Sequence, residues 1–149
     1  MPIDWKIKTF EQLSTPEVYQ ILRLRAEVFV VEQNCVYQDI DNKDQKALHL
    51  FGEFEGEIIA YSRLFQPGDY FEFSSIGRVV VAEKYRDKNY GHELIDLSIL
   101  AIKNHFNEQN ITISAQLYLK KFYQSHGFIA TSKTYLEDDI PHIEMKIIN

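Results

Sequence analysis

Residues 76–92 hold the groups best suited to chemistry. A β-branched run, Val79, Val80 and Val81, passes through Ala82, Glu83, Lys84 and Tyr85 into Arg86-Asp87-Lys88-Asn89-Tyr90-Gly91-His92, where a helical pattern begins. A strand that ends in a turn and feeds a helix aims several unpaired backbone N–H groups at one point, where the positive end of the helix dipole favours phosphate. Arg86 and Lys88 add positive charge there, and Gly91, having no Cβ, lets the backbone approach a ligand closely. The segment reads as an anion cradle. A solvated surface loop is the competing reading, because short phosphate-loop patterns recur by chance.

A cradle needs a sheet to hold it, and the chain alternates strands and helices accordingly. Residues 5–10 alternate as a strand, and Ser14-Thr15-Pro16-Glu17 opens a helix predicted to run to about Phe29, with Val18, Ile21, Leu22, Val28 and Phe29 on one stripe. A polar, irregular segment covers 32–46. Strands are predicted over 47–55 and 57–65, joined by Glu55-Gly56, and over 71–82 after the break at Pro67-Gly68-Asp69. The next helix carries Ile95, Ile99, Ile102 and Phe106 on its apolar side. Residues 111–116 form a strand parallel to 71–82, since strand, helix and strand make a right-handed crossover. A short helix over 119–125 stops at His126-Gly127, and strands near 128–135 and 142–148 follow. The fold class is α/β, of the mixed α+β kind: about seven strands in a mixed sheet flanked by helices.

Length and charge exclude several classes of function. A chain of 149 residues is expected to form one domain. Its 16 basic and 22 acidic residues give a net charge of −6, which argues against a nucleic-acid surface. No window approaches a membrane span, and no basic, apolar leader is evident, so a cytoplasmic protein is expected. The single cysteine, Cys35, excludes an internal disulfide, and the scattered histidines lack metal-ligand spacing, so no metal is expected.

The cradle and the segment Leu119-Lys120-Lys121-Phe122-Tyr123-Gln124-Ser125-His126-Gly127-Phe128 fall at the same end of the predicted parallel pair. Together they resemble the GNAT N-acetyltransferase superfamily, in which an Arg/Gln-x-x-Gly-x-Gly/Ala turn binds the pyrophosphate of acetyl-CoA and a later Phe-Tyr-x-x-x-Gly-Phe helix brings a tyrosine near the thioester sulfur. Residues 24–33, 37–41, Ile76-Gly77-Arg78-Val79-Val80-Val81 and Ile140-Pro141-His142 are similar to the ElaA-like branch. The resemblance follows the order of elements along the whole chain. One departure is Asn89, which stands where the family's first glycine falls; asparagine tolerates the left-handed region better than most residues.

The resemblance implies a GNAT acyl-CoA N-acyltransferase fold and transfer of acetyl from acetyl-CoA, a cosubstrate, to a primary amine by direct attack in a ternary complex. Backbone groups of Val79 and Val81, with Val80 between them, would pair with the pantetheine amides as if with an added strand, and N–H groups of Arg86, Asp87, Lys88, Asn89, Tyr90, Gly91 and His92 would hold the diphosphate. Gln116, Phe122 and Tyr123 complete the implied cofactor site. Tyr123 would protonate the departing thiolate, against the plainer reading of a packing aromatic beside Phe122 and Phe128. Glu72, His49 and His142 are the candidate general bases, with Glu72 placed where the family often carries one.

Acceptor selection falls to residues 32–46 and to the turn 136–140, both acidic. Glu32, Asp39, Asp41 and Asp44, with Glu137, Asp138 and Asp139, would attract an amine or polyamine unless they are simply solvated. Glu32, Asp39, His49, Arg78 and His142 are the substrate-binding candidates. Arg25 and Arg78 would hold a substrate carboxylate or pair with those acids. Cys35 is expected to be inert and partly buried. Two other readings stay open: a catalytically silent CoA-binding or sensing module of the same fold, and an enzyme resembling acyl-homoserine-lactone synthases. The partners expected are acetyl-CoA and an amine, without nucleic acid or membrane. A homodimer is compatible with the chain, whose oligomeric state its sequence does not fix.

Overall fold

The computed structural model describes residues 2–149. After β1 (Asp4–Thr9), Ser14 caps α1 (Thr15–Arg25): its hydroxyl accepts from the Glu17 N–H at 3.2 Å, and the Glu17 carboxylate accepts from the Ser14 N–H at 2.8 Å. The predicted helix does not remain an α-helix to Phe29. From Ala26–Glu32 the backbone widens into a π-helix, closed by bonds such as Gln33 N–H to Val28 C=O and Cys35 N–H to Val30 C=O. Periodicity cannot show this, because the stripe Ile21, Leu24, Val28 continues through the change.

The remaining elements are β2 (Leu48–Phe54), β3 (Glu57–Phe65), β4 (Ser74–Val81), α2 (Tyr90–Phe106), β5 (Ile111–Gln116), α3 (Lys120–Gln124), β6 (Ile129–Ala130), β7 (Tyr135–Glu137) and β8 (Ile140–Ile147). The sheet has eight strands in the order β1-β2-β3-β4-β5-β8-β6, with β7 also on β8. The strand predicted over 128–135 breaks into two short ones on the same partner, which accounts for the eighth. Among the described residues, only β4 and β5 run parallel. Two tight hairpins use two-residue loops with positive φ at both positions: Glu55 and Gly56 (51° and 80°), and Asp138 and Asp139 (51° and 63°).

Two layers bury the sheet unequally. On one face Leu50, Ala60, Leu64, Ile76, Ile113 and Met145 pack with Leu94, Ile95 and Ile102 of α2 and with Tyr123 and Phe128. On the other, Ile21, Leu24 and Val28 cover Phe51, Tyr61 and Val80. That second cluster contains no residue of β5 or β8 among the described residues, so the polar side of those strands, with Ser114, Gln116, His142 and Glu144, lies beyond α1.

Candidate active site

β4 and β5 pair only through Ser74 with Ile111 and Ser75 with Thr112. Beyond these two pairs they separate, and a gap opens toward Val81 and Gln116. A bulge in β4 contributes: Tyr61 faces Val80 and Arg63 faces Gly77, so Arg78 and Val79 together oppose Ser62, and Arg78 takes a φ of 50°. Backbone donors and acceptors along the facing edges need partners, which an extended ligand bearing amides can supply. Val79 and Val81 turn their half-buried side chains toward the α2 layer, while Val80 is buried beneath α1.

The cradle stands at the open end of this gap. Glu83–Lys88 forms a 3-10 turn, and Asn89, at φ 65° and ψ 16°, takes the left-handed position before α2. No side chain caps α2, so the first-turn amides around Tyr90, Gly91 and His92 retain their affinity for an anion. A Cβ at Gly91 would meet only the Phe122 ring, at 3.7 Å, so the space in front of this glycine is left for something other than protein. Asp87 and Lys88 are exposed. The Arg86 side chain departs from the expectation. Its Nε donates to the Val81 carbonyl at 3.0 Å, and its two terminal nitrogens bind Glu32 at 2.5 and 2.8 Å. That pairing also holds the Glu32 carboxyl below its ordinary range. Neither side chain is free for its predicted role, Arg86 for phosphate or Glu32 for an amine.

Tyr123 sits on α3, four residues after the turn that leaves β5, with its ring edge-on to Phe122 at 5.1 Å and to Phe128 at 5.8 Å. It is 6% exposed, and burial pushes the phenol well above its usual range, so it remains a proton donor. Behind it, His126 accepts or donates to His92 at 2.8 Å and meets Asp96 at 2.8 Å, so His92 serves an Asp96–His126–His92 chain alongside Phe122. At the end of β5, Gln116 exchanges amide contacts with Gln33 at 3.2 and 3.5 Å. Consecutive residues at the end of the π-helix thus reach both sides of the gap, Glu32 to the cradle and Gln33 to β5.

His142 lies directly across from Gln116 in the β5–β8 register. Its Nδ1 is 2.6 Å from the Ile140 carbonyl, and its Nε2 is 3.3 Å from Glu137. Glu72, by contrast, is exposed in a bend before β4, which begins at Ser74 and not at residue 71. It therefore stands outside β4, before the Ser74–Ile111 and Ser75–Thr112 pairs beyond which the gap opens. The aromatic run Tyr70-Phe71 explains the shortened strand: Tyr70 stacks on Phe65 at 5.1 Å and folds the chain back before β4 can start.

The acids predicted to attract an amine are mostly spent in a buried network. Arg25, 0% exposed, binds Asp39 at 2.9 Å and Asp44 at 2.8 Å; Arg63, 1% exposed, binds Asp41 at 2.8 Å and Asp44 at 3.0 Å. Arg78 lies 2.8 Å from Asp39, and Tyr37 donates to the same carboxylate. Three guanidiniums neutralise three carboxylates, so Asp39 and Arg78 anchor the 32–46 segment and do not present charge to a substrate. Although desolvation opposes it, the bond from Arg63 holds Asp41 down at about 2. His49 is likewise committed. A carbonyl can only accept, so Nε2–H donates to Asp44 C=O at 2.9 Å, and Nδ1 accepts from the Tyr61 hydroxyl at 2.6 Å. Burial lowers its pKa further. Neither nitrogen can serve as a base. Arg63 and the Asp96–His126 pair went unassigned in the sequence because their partners lie far along the chain, and Tyr37 and Gln33 entered only through the family resemblance. Of the two alternatives for Arg25 and Arg78, pairing with the acids is the one the structure shows. Cys35 is buried as expected and donates weakly to Asp138 C=O at 3.5 Å.

Among the described residues no helix is long and apolar enough to cross a membrane. Residues 11–149 match the acetyltransferase (GNAT) domain family. Protein ElaA of Escherichia coli strain K12 is 40% identical over 145 residues, covering 96% of this chain and 95% of that protein. A crystal structure of an acyl-CoA N-acyltransferase from Pseudomonas aeruginosa superposes with a TM-score of 0.94 at 38% identity, covering 99% of this chain and 100% of its own. The crystal structure of Escherichia coli ElaA gives 0.91 at 39% identity, with 97% and 99% covered. By the family match over residues 11–149 and the near full-length similarity to these relatives, the chain belongs to the GNAT acetyltransferase family.

Proposed function

We propose that this protein transfers an acetyl group from acetyl-CoA to a primary amine, with both substrates bound together and without an acyl-enzyme. The separation of β4 and β5 after two residue pairs carries the reading, because it creates an amide-lined slot that ends at an uncapped helix N-terminus. Main-chain groups of Val79 and Val81 would hold the pantetheine arm, and the amides from Arg86 to Gly91 the diphosphate. Acetyl-CoA supplies the activated acyl carbon. Tyr123, kept protonated by its apolar surroundings, gives its proton to the sulfur that leaves. The amine arrives on the α1 side of the sheet, where Gln33, Gln116 and His142 rim the gap. A single buried thiol suits a reducing, cytoplasmic setting.

The test is thermal unfolding with saturating acetyl-CoA, followed by release of CoA across a panel of primary amines. A ligand that binds only the native fold raises the melting temperature by mass action. Acceptor-dependent release, with a product heavier by one acetyl group, supports the assignment. No shift at saturation overturns it, and binding without release across the panel leaves a CoA-sensing module.

A further inference from the structure

We infer that His142 removes the proton from the acceptor amine, working from the sheet face opposite Tyr123; the inference rests on the acyl transfer proposed above. The two side chains stand on either side of the same opening. Tyr123 belongs to the core layer with Ile143 and Met145, so His142, adjacent to Ile143 on β8, projects to the α1 side. Its partner across the register is Gln116, the last residue of β5 before the turn that leads to Tyr123. A thioester lying in the gap would have the acid on one side and the imidazole on the other.

The hydrogen bonds fix which nitrogen is free. The Ile140 carbonyl, 2.6 Å from Nδ1, can only accept, so Nδ1 carries a hydrogen and the lone pair that the neutral ring offers is at Nε2. Nε2 faces the Glu137 carboxylate at 3.3 Å, and no hydrogen bond joins the two in this tautomer, because both are acceptors. A proton reaching Nε2 would create that bond. Glu137 is itself held: its other oxygen receives the Ser114 hydroxyl at 3.3 Å, and Ser114 meets the Tyr135 hydroxyl at 2.5 Å. Tyr135 stacks on the imidazole at 6.2 Å. The histidine side chain is 8% exposed, so its ring cannot swing away to find another partner. Glu137 and Tyr135 from β7, Glu144 from β8 and the exposed Asp138 and Asp139 of the hairpin turn are the titratable groups around it. On β5 and the π-helix its neighbours Ser114, Gln116 and Gln33 are uncharged.

The other candidates are occupied. Glu32 is bound to Arg86, the three aspartates to arginines, both His49 nitrogens to Tyr61 and Asp44, and His126 to Asp96 and His92. The proton balance closes with His142 and Tyr123 alone. The acceptor ammonium gives one proton to His142 Nε2. The freed amine nitrogen bonds to the acyl carbon as the carbon–sulfur bond breaks, the sulfur takes the Tyr123 proton, and the second amine proton restores the phenol. His142 then releases its proton to water, which leaves one amide, one thiol and one proton for each turnover.

The test joins nitrogen-15 NMR of the wild-type imidazoles with kinetics of His142→Gln and His142→Ala. The amine probes are butylamine, 1,4-diaminobutane and a lysine-bearing tetrapeptide. His142 should appear as the Nδ1–H tautomer in the free protein, a readout that needs neither variant nor acceptor. The glutamine variant should bind acetyl-CoA within twofold of wild type but lose about 100-fold in kcat at pH 7, with KM changed less than threefold. The acid limb of the wild-type rate profile should vanish with it, and added imidazole should restore the alanine variant at least tenfold. An Nε2–H tautomer, or a glutamine variant within threefold of wild type at pH 7, would overturn the assignment. Failure of the wild-type protein to bind acetyl-CoA in a calorimetric titration would instead remove the acyl-transfer reading, so that titration tells the two failures apart.

Discussion

The region beneath the π-helix and the cleft between β4 and β5 lie side by side and treat polar groups in opposite ways. Beneath the π-helix, Arg25, Arg63 and Arg78 meet Asp39, Asp41 and Asp44 in a closed account where each charge has a partner. In the cleft, bonding is incomplete: no side chain caps the α2 amides, and His142 Nε2 faces only the Glu137 carboxylate, at 3.3 Å. The contrast separates structure from chemistry. Formal charge beneath the π-helix anchors a loop, and the positions proposed to react are neutral groups whose bonding is incomplete.

Replacing Arg25 with methionine should produce the largest effect. It strands Asp39 and Asp44 in a buried site, although Arg78 and Arg63 still reach them, so the cost sits at the low end of about 3–5 kcal/mol. At about 2–4 °C per kcal/mol for a chain of this size, the melting temperature should drop by about 10 °C. Below that temperature, acetyl-CoA affinity should remain within threefold by calorimetry. Tyr123→Phe should do the reverse: kcat should fall about 100-fold, while the melting point changes little, because the ring packing against Phe122 and Phe128 is kept. A Tyr123→Phe enzyme with full turnover would erase the contrast.

The same division marks what the sequence made legible. The crossover of β4, α2 and β5, the Glu55-Gly56 hairpin and the left-handed Asn89 were readable, because local pattern and turn chemistry determine them. Tyr123 was readable only through a motif, since its type alone fits a core position equally well. The fate of the acids was not readable. Asp41 and Arg63 are 22 residues apart and meet only when β3 runs beneath the folded-back loop. The π-helix escaped for a related reason: widening the turn leaves the apolar stripe intact. Glu72 falls outside β4 because aromatic stacking of Tyr70 on Phe65 shortens a strand predicted to start at 71.

Acid should dissolve one region and spare the other. Asp41 is held at about 2 in the folded protein, where burial is outweighed by the Arg63 bond, against an ordinary value near 3.8. A carboxylate with a depressed folded pKa contributes stability above its unfolded value, and that contribution is lost as pH falls from about 4 to about 2. Asp41→Asn should therefore cost about 1.5 kcal/mol at pH 7, where a charge-assisted bond is weakened, and almost nothing at pH 2. Thermal unfolding of both proteins across that range tests it. A gap that stays constant down to pH 2 would mean that the charge on Asp41 plays no part.

The smallest effect is expected where the two regions touch. Glu32 and Arg86 form a two-pronged pair, but their side chains are 33% and 40% exposed, so water screens them and the pair should contribute no more than about 1 kcal/mol. Glu32→Gln should lower the melting temperature by less than about 3 °C. Its consequence for binding runs the other way. The Arg86 guanidinium, already anchored to the Val81 carbonyl beside the cradle, would lose its competing anion and become available to the diphosphate. Acetyl-CoA affinity should then hold or rise, by up to about fivefold for about 1 kcal/mol, and the gain should shrink as salt is added. A weaker complex would give the pair a different meaning: it would show that Glu32 holds Arg86 where the cradle needs it, so that one exposed ion pair shapes the site as the buried network shapes the loop.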